Sequence, residues 1–74
     1  MEKLKDYLRL RKYSNINVWV YTYNNNGEKV LLFGNKGKIL NYTLGFTFLD
    51  CEVSNVIEVF GEIDIIINYK GGEQ

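Results

Sequence analysis

The segment that most restricts the fold is Asn24-Asn25-Asn26-Gly27, set between two runs rich in β-branched and aromatic residues. Asn-Gly tolerates positive φ at both positions, and it is the strongest short-range signal for a β-hairpin. The flanking runs, residues 16–23 (INVWVYTY) and 28–34 (EKVLLFG), have strand composition. A loop of two residues (26–27) or four (24–27) gives the same parity. Either way Val18, Val20, Leu31 and Phe33 share one face, and Trp19, Tyr21, Tyr23, Val30 and Leu32 share the other. Neither face is polar. Both must therefore be covered, or one of them is a binding surface.

Around this hairpin, spanning 16–34, the remaining pattern predicts a single domain of 74 residues. Leu4, Tyr7 and Leu8 fall at helical spacing, which predicts a short helix over residues 1–12 with Lys5, Arg9 and Lys12 as a basic stripe on another side. Such a helix is marginal alone and must dock. Gly34-Asn35-Lys36-Gly37 reads as a turn; it lacks the spacing and the Ser or Thr of a phosphate loop. Residues 38–49 are a strand or a loop with one helical turn. The strand reading rests on the alternation of Leu40, Tyr42, Leu44, Phe46 and Phe48, and Gly45 weakens it. A second hairpin occupies 51–70 around Gly61, with Cys51, Val53, Ile57 and Val59 facing Ile63, Ile65, Ile67 and Tyr69. That match needs an odd loop such as Phe60-Gly61-Glu62, and it leaves Glu52, Glu58, Glu62 and Asp64 outside. Residues 71–74 read as a frayed tail. The expected fold class is α+β: a short N-terminal helix followed by a four- or five-stranded antiparallel curved sheet.

Composition narrows the chemistry. There is no His, no Pro and one Cys, which excludes imidazole catalysis, Cys/His zinc sites and disulfide scaffolds. Ser14 and Ser54 have no His to activate them. The chain reads as a non-enzyme that needs no metal and no cofactor. No apolar run is long enough to span a membrane, and the charged N-terminus is unlike a secretory signal. A cytoplasmic protein with Cys51 as a reduced thiol is expected. Nine basic residues balance nine acidic ones, which argues against non-specific coating of nucleic acid. The balance is uneven along the chain: eight basic minus three acidic residues give +5 over residues 1–38, and one minus six gives −5 over residues 39–74. Asn, Lys, Ile, Tyr and Phe, all with AT-rich codons, make up 33 of the 74 residues. An AT-rich genome is the simplest cause.

Two surfaces stand out as candidates for contact with a partner protein. One is the aromatic set Trp19, Tyr21 and Tyr23; the other is the acidic set Glu58, Glu62 and Asp64. Buried Trp and Tyr anchors dominate interface energetics. The aromatic set serves equally as core beneath the helix or as the seam of a homodimer. In an alternative reading, it stacks the bases of a nucleic acid whose phosphates meet Lys5, Arg9, Lys12, Lys36 and Lys38. A homo-oligomer that sequesters a nucleotide between aromatic faces is a third reading.

The succession of KLKDYL (3–8), a two-strand hairpin, a CEV–VIEV strand (51–53 and 56–59) and an isoleucine-rich last strand resembles small accessory proteins of phages and prophages of AT-rich Gram-positive bacteria. The resemblance covers most of the chain and lies in pattern rather than in a catalytic motif. It implies a phage or mobile-element protein acting in the host cytoplasm as an inhibitor of a bacterial defence component. An anti-CRISPR protein that binds a CRISPR nuclease is the most concrete form. It carries no functional residue over to this chain.

Overall fold

A computed structural model of the chain describes residues 2–69. Its elements run α1 (Leu4–Leu8), a 3₁₀ turn (Arg11–Tyr13), β1 (Asn17–Tyr23), β2 (Lys29–Lys36), α2 (Gly37–Thr43), α3 (Phe46–Leu49), β3 (Val53–Val59) and β4 (Glu62–Ile67). The strands form one sheet in the order β2-β1-β4-β3. The two hairpins lie side by side, and β1 runs parallel to β4 at their junction, with Val18 opposite Ile63 and Val20 opposite Ile65. The fold is α+β, as the sequence predicts. Its sheet has four strands and is mixed rather than wholly antiparallel.

One face of the sheet is covered. Val18 and Val20 from β1 and Ile63, Ile65 and Ile67 from β4 meet Leu4 and Leu8 of α1, Tyr13, Leu40 of α2 and Leu49 of α3 in one buried cluster. The apolar stripe of the first helix therefore has the job expected of it: a five-residue helix is held by packing rather than by propensity. The N-terminus is also tied in place by backbone bonds. Leu4 N–H donates to the Cys51 carbonyl and Val53 N–H to the Glu2 carbonyl, each at 2.9 Å. Thr22, the buried polar side chain of this face, donates to the Ile67 carbonyl at 2.9 Å. Gly37 starts α2 so close to the preceding chain that a Cβ there would lie 2.1 Å from the Tyr13 carbonyl oxygen.

Several expectations are corrected. The helix over residues 1–12 is interrupted: Leu10 is extended, and the chain re-forms as a 3₁₀ turn that delivers Tyr13 into the core. Gly34 to Lys36 continue β2 instead of forming a turn. Residues 38–49 are not a strand but fall in two short helices, Gly37–Thr43 and Phe46–Leu49, joined at the extended Leu44 and Gly45. The alternating residues Leu40, Leu44 and Phe48 are also four apart, so one pattern satisfies both periods, and the core contacts of Leu40, Leu44 and Phe48 select the helix. Tyr42, two residues out of phase, is 90% exposed.

Both hairpins depart from the simple parity argument. In the first, Asn24 and Glu28 close the loop by a backbone bond at 2.9 Å, and Gly27 has φ 78°. Tyr21 then faces Leu31, and a bulge before Phe33 restores the Val20–Phe33 pair. Leu31 thus joins the Trp19 face, while Leu32 and Phe33 both pack on the core. In the second, Val59 pairs with Glu62 across a two-residue Phe60-Gly61 turn, and a bulge follows Val53. Phe60 has φ 51° and Gly61 φ 78°. Left-handed backbone costs a non-glycine residue on the order of 1–2 kcal/mol. Val53 and Val56 consequently face inward, as expected only for Val53, and Ile57 and Val59 face outward. The tail at 71–74 lies outside the described residues.

Candidate functional site: the uncovered face of the sheet

The helices all pack against the Val18–Val20 side, so among the described residues no layer lies over the opposite side of the sheet. Strand alternation places Trp19, Tyr21 and Tyr23 of β1 there, with Leu31 of β2, Glu62, Asp64 and Ile66 of β4, and Ile57 and Val59 of β3. Ile66 sits at the centre and is only 3% exposed although it lies outside the core cluster. In the register it is flanked by Tyr21 of β1 and Asn55 of β3. Tyr23, Leu31, Ile57 and Val59 form an exposed apolar perimeter, with Tyr23 at 53% and Leu31 at 49%.

The aromatic residues are held in defined positions. The Trp19 ring lies flat over Gly34 of the adjoining strand, where an added Cβ would come within 2.2 Å of the ring. Its indole N–H donates to Glu62 at 3.0 Å, and the Asn17 amide donates to the other Glu62 oxygen, also at 3.0 Å. These two bonds, the Asn17 one first, hold the Glu62 carboxyl below its ordinary pKa. Lys29, at the edge in β2, places its Nζ 4.4 Å from the centre of the Tyr21 ring, within cation–π range. Asp64 lies between Trp19 of β1 and Ile57 of β3 in the cross-strand register. The face combines a central aromatic and aliphatic field, two carboxylates and one lysine at its rim.

Five of the six residues expected at a partner interface thus share one surface: Trp19, Tyr21, Tyr23, Glu62 and Asp64. Glu58 does not. The two-residue turn puts it opposite Ile63 on the covered side, where it accepts a 2.8 Å hydrogen bond from the Tyr13 hydroxyl. Burial, together with that bond, pushes the Tyr13 phenol above its ordinary pKa. Leu31, Ile57, Val59 and Ile66 are members of the face that parity reasoning assigned elsewhere or passed over. Loop length is the signal that finds three of them, at Phe60-Gly61 for Ile57 and Val59 and at residues 24–28 for Leu31, since one residue more or less exchanges the faces of a strand. Ile66 follows instead from alternation with Ile65 and Ile67.

The basic residues expected beside the aromatics lie elsewhere. Lys5 and Arg9 belong to α1 and Lys38 to α2, which pack on the covered side, while Lys12 follows in the 3₁₀ turn. Lys5 pairs with Asp50 at 3.0 Å and Arg9 with Asp6 at 3.4 Å. Only Lys36, at the end of β2, shares the aromatic side by register, and its Nζ reaches the Asn15 carbonyl at 3.4 Å. A helix that buries Leu4 and Leu8 on one side of the sheet cannot present its lysines beside rings on the other. The aromatic side therefore carries Lys36 of the expected basic set, together with Lys29.

Among the described residues, no three Cys, Asp or Glu side chains gather as a metal-holding group, and no helix is long and apolar enough to cross a membrane. Cys51 is half-buried, its thiol donating to the Thr47 carbonyl at 3.1 Å. Burial, with Asp50 adding to it, pushes that thiol up from its ordinary pKa. Compared with protein-family models, curated proteins and solved structures, the chain matches none of them.

Proposed function

We propose that this chain is a non-enzymatic binding protein that docks a partner protein on the uncovered face of its sheet. The observation that carries the reading is the one-sidedness of the fold. A field of Trp19, Tyr21, Tyr23, Leu31, Ile57 and Val59 stays accessible on a side that none of the helices covers. Trp and Tyr in rigid surroundings are the residue types that supply interface hot spots at low entropic cost. The bond from Trp19 to Glu62 and the Lys29–Tyr21 contact pre-order two of these anchors, which reduces the ordering cost of binding.

Together with the resemblance to phage accessory proteins, this surface supports an inhibitor of a bacterial defence component, with a CRISPR nuclease as the leading target. The chain has no His, and Glu62 on this face serves as a hydrogen-bond acceptor for Trp19 and Asn17, which fits binding rather than turnover. The test is co-purification of the tagged full chain with a panel of purified CRISPR nucleases and other defence proteins, beside a Leu31→Lys/Ile57→Lys variant. The expected result is that at least one panel member is held by the wild type and released by the variant. Retention of nothing, or equal retention by both chains, would contradict the proposal.

A further inference from the structure

The β3–β4 turn carries a side chain that none of the described residues covers. Phe60 is 100% exposed, and it is the non-glycine residue found at positive φ among those described. With Gly61 it makes a two-residue turn in which both central residues are left-handed, the geometry that Asn-Gly adopts readily. This chain uses Asn freely in its other hairpin turn. An aromatic residue here is unfavourable twice, once for its backbone and once for its ring in water. Local strain of this kind persists at places where function compensates for it.

Next to Phe60 lies a groove of about 390 Å³ lined by Lys12, Tyr13, Ile16, Glu58, Gly61 and Glu62. Its lining is ordered. The Tyr13 hydroxyl is bonded to Glu58, Lys12 Nζ stands 5.0 Å from the Tyr13 ring centre, and Glu62 is fixed by Asn17 and Trp19. Ile16, over the buried Tyr13 ring, offers apolar surface, Lys12 a cation, and Glu58 and Glu62 carboxylates. Phe60 itself forms part of the groove's lining and is at the same time fully exposed to solvent.

We propose that this end of the molecule is a self-association site, in which Phe60 of each copy seats in the groove of a second copy across a two-fold axis. A knob beside a receptive groove on one surface patch is the arrangement a closed, isologous dimer requires, because each copy gives and receives the same contact. The charges favour the same occupant. A two-fold contact brings Lys12 of one copy toward Glu58 and Glu62 of the other, and brings its ammonium to the seated Phe60 ring. The chain has nine basic and nine acidic residues, so two copies meet without net repulsion. Tyr23 and Leu31, which lie toward the opposite ends of their strands, stay free for a partner. Glu62, which lines the groove and also bonds Trp19, is where the dimer contact and the sheet face adjoin.

The test is the mass of the full chain by sedimentation equilibrium over a concentration series, with no other protein present. The wild type is expected to approach twice the chain mass at high concentration. Phe60→Asn, which suits a left-handed turn, is expected to remain at the single-chain mass. Its thermal midpoint in dilute solution should be no lower than that of the wild type, the reverse of what a structural role for Phe60 would give. Lys12→Glu, an exposed change outside the turn, is expected to weaken association by at least about tenfold and carries the test should the Asn variant fold poorly. A wild type that stays single at every concentration overturns the proposal. So does a dimer that either variant leaves intact.

Discussion

Two glycines show how differently the same substitution acts on the two sides of this sheet. At Gly37 a Cβ would lie 2.1 Å from a backbone oxygen and 2.9 Å from its carbon, both of Tyr13, whose ring is buried in the core. Backbone must move to relieve that contact, and Gly37 N–H also donates to the Ile16 carbonyl at 3.2 Å. At Gly34 the clash is with the far edge of the Trp19 ring, on the uncovered face, where the ring can swing outward at the expense of its bond to Glu62. Gly37→Ala is therefore expected to destabilise by about 3 kcal/mol and Gly34→Ala by about 1 kcal/mol, within the usual range for overpacking. Denaturant unfolding followed by Trp19 fluorescence measures both, and the Gly34 variant should also show a changed native emission spectrum. Equal losses would mean that the Trp19 ring is as firmly enclosed as the core.

At the scale of elements, the parts legible in the sequence are those fixed by local rules. The Asn-rich turn, the strand character of residues 17–23 and the inward Ile63-Ile65-Ile67 row follow from turn chemistry and alternation. The two helices Gly37–Thr43 and Phe46–Leu49 are masked in the sequence because Leu40, Leu44 and Phe48 fit a period of two as well as a spacing of four. The outward placement of Ile57 and Val59, and the inward one of Glu58, depended on one residue of loop length at Phe60-Gly61 and on a bulge after Val53. Neither is a compositional feature. The parallel β1–β4 junction depends on how two hairpins dock, which no local pattern encodes. That junction has a dynamic consequence. β1 and β4 each have a hydrogen-bonded neighbour on both sides, whereas β2 and β3 are edges. Native-state hydrogen exchange is expected to find the slowest amides in Val18–Tyr21 and Ile63–Ile66, with opening free energies near the global value, and faster exchange along β2 and β3. Slowest exchange in an edge strand would place the stable centre of the fold elsewhere.

For the whole molecule, the decisive property is that, among the described residues, four helical segments cover one side of the sheet and none covers the other. The candidate site is a consequence of that economy of layers: the residues that line it, Trp19, Tyr21, Tyr23, Leu31 and Ile57, are apolar enough to have been core in a larger domain. An uncovered apolar face on a protein is ordinarily an interaction surface or an aggregation hazard, and Glu62, Asp64 and Lys29 place charge within and around it. The distinction between face and core is directly measurable. Thermal unfolding of Leu31→Lys/Ile57→Lys, set beside Ile65→Lys from the covered side, asks it most simply. Exposed strand positions accept lysine for about 0.5 kcal/mol each, so the double variant should melt cooperatively within about 4–8 °C of the wild type, whereas the Ile65 variant should not fold. Loss of cooperative unfolding in the double variant would show that the aromatic side of the sheet is interior, and would contradict the account.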